Sequence, residues 1–312
     1  MSQALAPAGE APAPERGPTA GLRLEADGLM LLVTLLATAG WLFSRGALRG
    51  LPPLLFMGGR FALAAALLVA LGPAEVRGLS RRDLRRAAAT GVAFGVAMLS
   101  WIEGLSRASQ LGVGAFICSL GVVLVPVVGR LLFRAEVSRQ TWAAAGLGAV
   151  GLGLLFARAG FRPAASDGFF AVTAVASAVH FNLNARYAAR MPVRSLTAVQ
   201  LAVVGGLGLL ASALTERWPG AVGIPTLGFV ACSIVLSTSL RFLLQVRAQS
   251  LAPLGHGALI MALEPVWTAL VAAALLGERM SRVQLLGCGL VMAALVANRL
   301  GPLYPGFLSE EG

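Results

Sequence analysis

Apolar residues occur along this chain in long blocks, separated by short links that hold Arg, Pro, Asp or Glu. A helix needs about 20 mainly apolar residues to cross the hydrocarbon core of a bilayer. Ten stretches meet that pattern: 28–44, 52–71, 88–105, 111–133, 141–158, 168–187, 196–214, 225–246, 255–276 and 283–298. Two are less uniform than the rest. The sixth holds His180, Asn182, Asn184 and Arg186, and the eighth holds Arg241 and Gln245. The pattern predicts an all-α membrane protein of ten transmembrane helices. Residues 1–25 are Ala/Pro/Gly-rich without a period, which predicts a disordered N-terminal tail and no signal peptide. Residues 301–312 read as a C-terminal tail.

The blocks repeat. Displaced by 143 residues, LGVGAFICSL at 111–120 lies on LGHGALIMAL at 254–263, and Ser138-Arg139 on Ser281-Arg282. Displaced by 140, Asp27-Gly28 lies on Asp167-Gly168, Pro52 on Pro192 and Arg107-Ala108 on Arg247-Ala248. The chain therefore divides into a first five-helix repeat, 26–160, and a second, 161–300, with a short insertion near 249–253. Five is odd, so the second repeat must enter from the opposite face, giving two inverted five-helix repeats. Inverted repeats are a transporter device, with the binding site near the midplane between halves that rock about it. A central cavity from spans one to four and six to nine is expected. The competing reading is a duplication kept for fold stability alone.

Composition narrows the class further. The chain is 57% hydrophobic and only 12% charged, against about 25% charged in soluble domains. Its net charge of +11 comes entirely from Arg on the basic side. These arginines are scattered in short clusters between apolar runs, so a nucleic-acid partner is not expected. More of them fall on the side that holds both termini, above all in RGLSRRDLRR at 77–86. Positive-inside bias then places both termini in the cytoplasm of a multi-pass inner-membrane protein. Cys118, Cys232 and Cys288 lie in apolar runs without metal or redox spacing, and are expected to be packing residues. No GxxxxGK[ST] nucleotide loop is present, and GLGAVG at 146–151 lacks the strand context of a dinucleotide fold. No cofactor or metal is expected. The Gly runs of the fifth and tenth spans are expected at the scaffold periphery or in a dimer contact, with the oligomeric state left open.

The ninth span carries Glu264-Pro265, with Gly277-Glu278 at its end and a Gly-rich tenth span after it. The first half has Pro126 and Ala135-Glu136 in the corresponding region, and Arg60 lies in the second span. In these features, over residues 27–299, the chain resembles the EamA-type transporters of the drug/metabolite transporter superfamily. The resemblance implies carriage of small metabolites, such as export of amino acids, or of drugs, without saying which.

A charge at mid-bilayer costs at least about 2.5–3.5 kcal/mol, so each deep one is a functional candidate. Arg60 is suited to a substrate carboxylate; the alternative is a structural pair with Glu264 or a helix carbonyl. Arg241 stands at the repeat position of Trp101, so a guanidinium in one half faces an aromatic ring in the other; alternatively it snorkels toward Arg247. Glu264 precedes a proline that kinks its helix, and could take up a proton as the site alternates; otherwise it is a kink device. His180 and Asn184 share a helix face suited to a cavity wall, while Asn182 points elsewhere. Their repeat partners are Gly40 and Ser44, and that of Arg60 is Gln200. Trp41, Trp101 and Trp267 lie within spans, where they could stack on a flat substrate or simply pack; Trp142 and Trp218 sit at ends as interface anchors. Glu103, nearer an end, is ambiguous. The substrate-binding set is thus Trp41, Ser44, Arg60, Trp101, His180, Asn184, Gln200, Arg241 and Trp267, with Glu264 for proton coupling. Aromatic or other amphipathic amino acids are the favoured substrates, exported by alternating access.

Two other classes compete. An intramembrane enzyme acting on lipid-borne groups would need a nucleophile, base or metal cluster; no HExxH or Cys–His arrangement exists, and the two histidines are His180 and His256. A non-transporting scaffold would have no need for the polar residues in the second, sixth, eighth and ninth spans.

Overall fold

The computed structural model describes residues 20–107, 111–156, 164–251, 256–276 and 281–300. Among them every regular element is helical. The first half comprises α1 (Ala20–Ala47), α2 (Pro53–Leu71), the short α3 (Pro73–Arg77), α4 (Arg81–Arg107), α5 (Leu111–Phe133) and α6 (Arg139–Phe156). The second comprises α7 (Ala165–Ala188), α8 (Val193–Thr215), α9 (Ile224–Ile234), a π-helical turn (Val235–Leu240), α10 (Arg241–Leu251), α11 (His256–Met261), α12 (Leu263–Leu276) and α13 (Arg282–Leu300). Among the described residues, six runs are long and apolar enough to cross a membrane: Gly21–Ala47, Pro53–Leu71, Arg81–Arg107, Ala165–Ala188, Val193–Thr215 and Ile224–Leu251. Large apolar side chains such as Leu131, Leu214 and Ile224 point outward and are mostly exposed. That is the surface of a protein whose solvent is lipid.

The packing follows the repeat. α2 and α8, which start at the repeat-related Pro53 and Val193, share the most extensive helix–helix contact. They approach so closely because glycines face each other: a Cβ on Gly58 would lie 2.4 Å from the Leu209 amide nitrogen, and one on Gly208 2.7 Å from the Gly58 Cα. Small residues at a helix contact let backbones meet and trade side-chain burial for close dispersion contact. On either side of this seam, α4 packs on α7, and the equivalent α1 packs on the α9–α10 run. α6 and α13, the last helices of the two halves, pack on each other.

Helix ends are tied across the halves. α2 begins behind Pro52, which offers no side-chain cap. Glu216, just past α8, accepts hydrogen bonds from the Leu54 and Leu55 amides, both at 2.8 Å, satisfying donors that a helix start leaves open. At the other end of α2, Arg194 donates to the Leu71 carbonyl (3.1 Å) and pairs with Glu75 (3.0 Å).

Several expectations change in detail. α1 begins at Ala20, so residues 20–25 are helical where a disordered tail was expected. Apolar spacing starts only later, but Glu25 is held by Arg247 of α10 at 3.3 Å. Residues 1–19, the C-terminal tail and Gly277-Glu278 lie outside the described residues. Cys232 is exposed on the outer face of α9, not packed inside, whereas Cys118 and Cys288 are half-buried. The glycines of the fifth and tenth spans meet each other within the chain: a Cβ on Gly287 would lie 2.6 Å from the Gly151 carbonyl. The ninth span is broken, not merely kinked. Pro265 lacks the N–H that would bond the Met261 carbonyl, and the helix stops at Met261 and restarts at Leu263. In α5, Pro126 is carried inside a continuous helix.

Candidate functional site

Arg60 enters α2 about 10 Å of helix beyond Pro53. It is buried, with 6% of its surface exposed. Its Nη1 donates to Ser44 Oγ of α1 and Ser233 Oγ of α9, both at 3.1 Å. The guanidinium carbon lies 5.4 Å from the Phe56 ring centre and 5.0 Å from that of Phe61, within reach of cation–π attraction. Its buried Nε has no hydrogen-bond partner among the described residues.

Arg241 follows directly on the π-helical turn. In that turn Thr238 Oγ1 donates to the Ser233 carbonyl at 2.8 Å and Ser237 Oγ to the same carbonyl at 3.2 Å. A π turn inserts one residue into the helical register, which rotates Arg241 relative to α9. The turn fits because α1 has Gly40 there: a Cβ would lie 2.9 Å from Ser237 Cβ. Arg241 Nη2 meets Glu264 Oε2 at 3.5 Å. The snorkelling alternative is thus not what the side chain does: it reaches Glu264, while Arg247 reaches Glu25. Nor does Arg60 hold Glu264. Arg60 and Arg241 are joined through two rings: Phe61, 5.0 Å from the Arg60 guanidinium carbon, lies 5.9 Å from Phe242, which is 4.7 Å from that of Arg241.

Glu264 stands in the first turn of α12, beside the break made by Pro265. Its Oε1 accepts from Trp41 Nε1 at 3.2 Å. Trp41 in turn packs edge-on against Trp101, centroids 4.9 Å apart. The repeat partners Trp101 and Arg241 therefore end on one chain, Trp101–Trp41–Glu264–Arg241. Trp267 does not join it: its Nε1 donates to Thr34 at 3.0 Å. It lines instead a groove of about 540 Å³ between α1 and α12, with Leu35, Thr38, Leu42 and Leu270. Glu103 pairs with Arg107 of its own helix at 2.7 Å.

The second half supplies a neutral network. His180 Nε2 lies 2.8 Å from Gln200 Oε1, Gln200 Nε2 donates to Asn184 Oδ1 at 3.4 Å, and Asn184 donates to Gln249 Oε1. With a carbonyl oxygen as partner, Nε2 carries the proton. Asn182 points away, donating to the Val125 carbonyl of α5 at 3.0 Å. Between this network and the arginines sit three phenylalanines. Phe94 stacks on His180 at 4.3 Å and contacts Phe242 at 4.8 Å and Phe61 at 5.5 Å. Sequence reasoning missed these rings, Ser233 and Gln249. The run Ser237-Thr238-Ser239 inside an apolar block was the available signal. Among the described residues, no group of His, Cys, Asp and Glu is arranged to hold a metal.

Three comparisons bear on this arrangement. Nothing among curated proteins matches the chain. A solved structure, described simply as the crystal structure of a protein, superposes with TM-score 0.75 at 21% identity, over 91% of this chain and 99% of that one, which shows a shared fold. The profile of the EamA-like transporter family matches twice, at residues 24–157 and 165–299. Two copies of that profile account for the two halves, the paired helices and the repeat-related positions at the site, and the chain belongs to the EamA-like transporter family.

Proposed function

We propose that the protein is a secondary transporter that exports small amphipathic metabolites by alternating access. Ten membrane spans in two inverted repeats provide the frame, in the inner membrane with both termini cytoplasmic. The observation that carries the reading is a cluster of charges drawn from both halves into the helix bundle: Arg60 from α2, Arg241 from α10 and Glu264 from α12. A scaffold gains nothing from charges whose burial costs several kcal/mol. Charges held between two symmetry-related halves suit a site that changes its exposure as the halves rock.

Each residue then has a role. Arg60 holds the polar head of the cargo, and the Trp41–Trp101 pair and the phenylalanines receive its apolar body. The amide network of His180, Asn184 and Gln200 braces the second half behind the phenylalanines. Arg241 and Glu264 form a pair that can open: a proton taken up by Glu264 would release Arg241 and uncouple α10 from α12. Aromatic amino acids are the first substrates to test. Labelled amino acids and aromatic carboxylates are offered to proteoliposomes of the purified protein, with and without an imposed pH gradient. Saturable uptake of at least one of them that responds to the gradient is the expected result. Silence toward the whole panel would remove amino acids as substrates.

A further inference from the structure

Charge bookkeeping at this site says more about the cargo than its aromatic lining does. Three groups in the cluster carry formal charge: Arg60, Arg241 and Glu264. Two are cationic and one is anionic. The single carboxylate is already engaged, by Arg241 at 3.5 Å and by Trp41 at 3.2 Å. Among the described residues, the groups that touch Arg60 are neutral: the hydroxyls of Ser44 and Ser233 and the rings of Phe56 and Phe61. Its buried Nε has no partner among the described residues. Among the described residues nothing nearby offsets the excess: His180 gives its Nε2 proton to Gln200 and stacks on Phe94, and a second proton on it would add positive charge.

We propose, resting on the carrier reading, that the cargo is an aromatic organic anion with one net negative charge, and not a zwitterion. Its anionic head binds the free edge of Arg60, and its ring lies against the half-buried Trp41–Trp101 pair. Bound so, it brings the buried cluster to neutrality. A buried charge without a counter-charge is costly, and a bidentate guanidinium–carboxylate contact is among the strongest ways to offset it. An amino-acid zwitterion would leave the cluster with its excess. Its ammonium could reach a carboxylate only by displacing Arg241 from Glu264, which strands a second guanidinium. A cationic amine would raise the excess further.

Four probes with the same body separate these cases: 3-phenylpropanoate, phenylalanine, phenethylamine and 3-phenylpropanamide. Each is tested by counterflow into proteoliposomes of the full chain at about pH 7, where the first is an anion, the second a zwitterion and the third a cation. The expected result is saturable flux of phenylpropanoate alone. Arg60→Gln is expected to lower that flux about a hundredfold, while Arg60→Lys, which keeps the charge but not the fork, retains flux lowered about tenfold. Retention by the lysine variant shows that the glutamine variant lost charge and not its fold. Equal or faster flux of phenylalanine or phenethylamine would overturn the proposal and leave the carrier reading standing. So would undiminished phenylpropanoate flux in Arg60→Gln. No flux of any probe would also overturn it; the carrier reading falls with it only if the wider amino-acid panel is silent too.

Discussion

Positions 60 and 200 are equivalent in the two halves, as are positions 44 and 184, and within each half the two positions are joined by a hydrogen bond. In the first half Arg60 donates to Ser44 at 3.1 Å; in the second Gln200 donates to Asn184 at 3.4 Å. The geometry is shared and the chemistry is not. Gln200 continues into a chain of neutral partners, with His180 on one side and Gln249 beyond Asn184. Every step there exchanges one amide or imidazole contact for another, so the network is at rest. Arg60 ends on two hydroxyls and keeps an unpartnered Nε and an unopposed charge. Two repeat-related polar positions thus differ in chemistry: one is hydrogen-bonded among neutral amides, and the other brings a charge to two hydroxyls. The same division runs through Trp101 and Arg241, whose places are also equivalent: Trp101 reaches the Glu264 carboxylate only through Trp41, and Arg241 meets it directly.

The comparison can be broken most severely at the seam that holds both positions. Gly58→Leu would drive a side chain into the α8 backbone, where a Cβ already lies 2.4 Å from Leu209 N. Backbone cannot yield as a side chain can, so a loss of 3 kcal/mol or more is expected, at the upper end of overpacking costs of about 1–3 kcal/mol. Loss of monodispersity in detergent, or a much lower melting temperature, checks it. Next comes Arg60→Gln, which makes the two halves alike. Flux is expected to fall about a hundredfold with little change in melting temperature, since removing a buried charge relieves its desolvation. Glu264→Gln keeps an acceptor for Trp41 and strands Arg241. It should lower flux about tenfold and abolish the response to an imposed pH gradient, read in proteoliposomes as flux with and without the gradient. Gln200→Leu leaves His180 and Asn184 unsatisfied, costing about 1–3 kcal/mol of stability by thermal melt. Its flux below the melting temperature should fall less than about threefold. The smallest change is Trp41→Phe, which removes one hydrogen bond to Glu264 and keeps the ring near Trp101. About 1 kcal/mol of stability is at stake there, read from the melting temperature.

Much of the frame was legible in the sequence because lipid imposes a simple rule: long apolar blocks must be helices. The twofold repeat was legible because it survives as matching short strings. Arg60, Arg241 and Glu264 stood out because a charge in an apolar block has few bland explanations. What the sequence could not show was pairing. Whether Arg241 turned to Glu264 or to the membrane surface depended on a π turn, which depends on hydroxyls at 237 and 238 that donate to the carbonyl of 233 and on a glycine from another helix. Trp267 read like Trp41 in one dimension, yet it faces Thr34 and an outer groove. The phenylalanines between the polar clusters passed unnoticed, because Phe in an apolar block is expected everywhere. Residues 20–25 read as tail since their helix is extended by one surface ion pair and not by apolar spacing.

If equivalent positions have parted into one that serves transport and one that serves structure, flux and stability must separate between them. Saturable flux and melting temperature are measured together for wild type, Arg60→Gln and Gln200→Leu in the same lipid. Lost flux with near-normal melting is expected for Arg60→Gln, and lowered melting with near-normal flux for Gln200→Leu. Normal flux in Arg60→Gln, or lost flux with unchanged melting in Gln200→Leu, would contradict that separation.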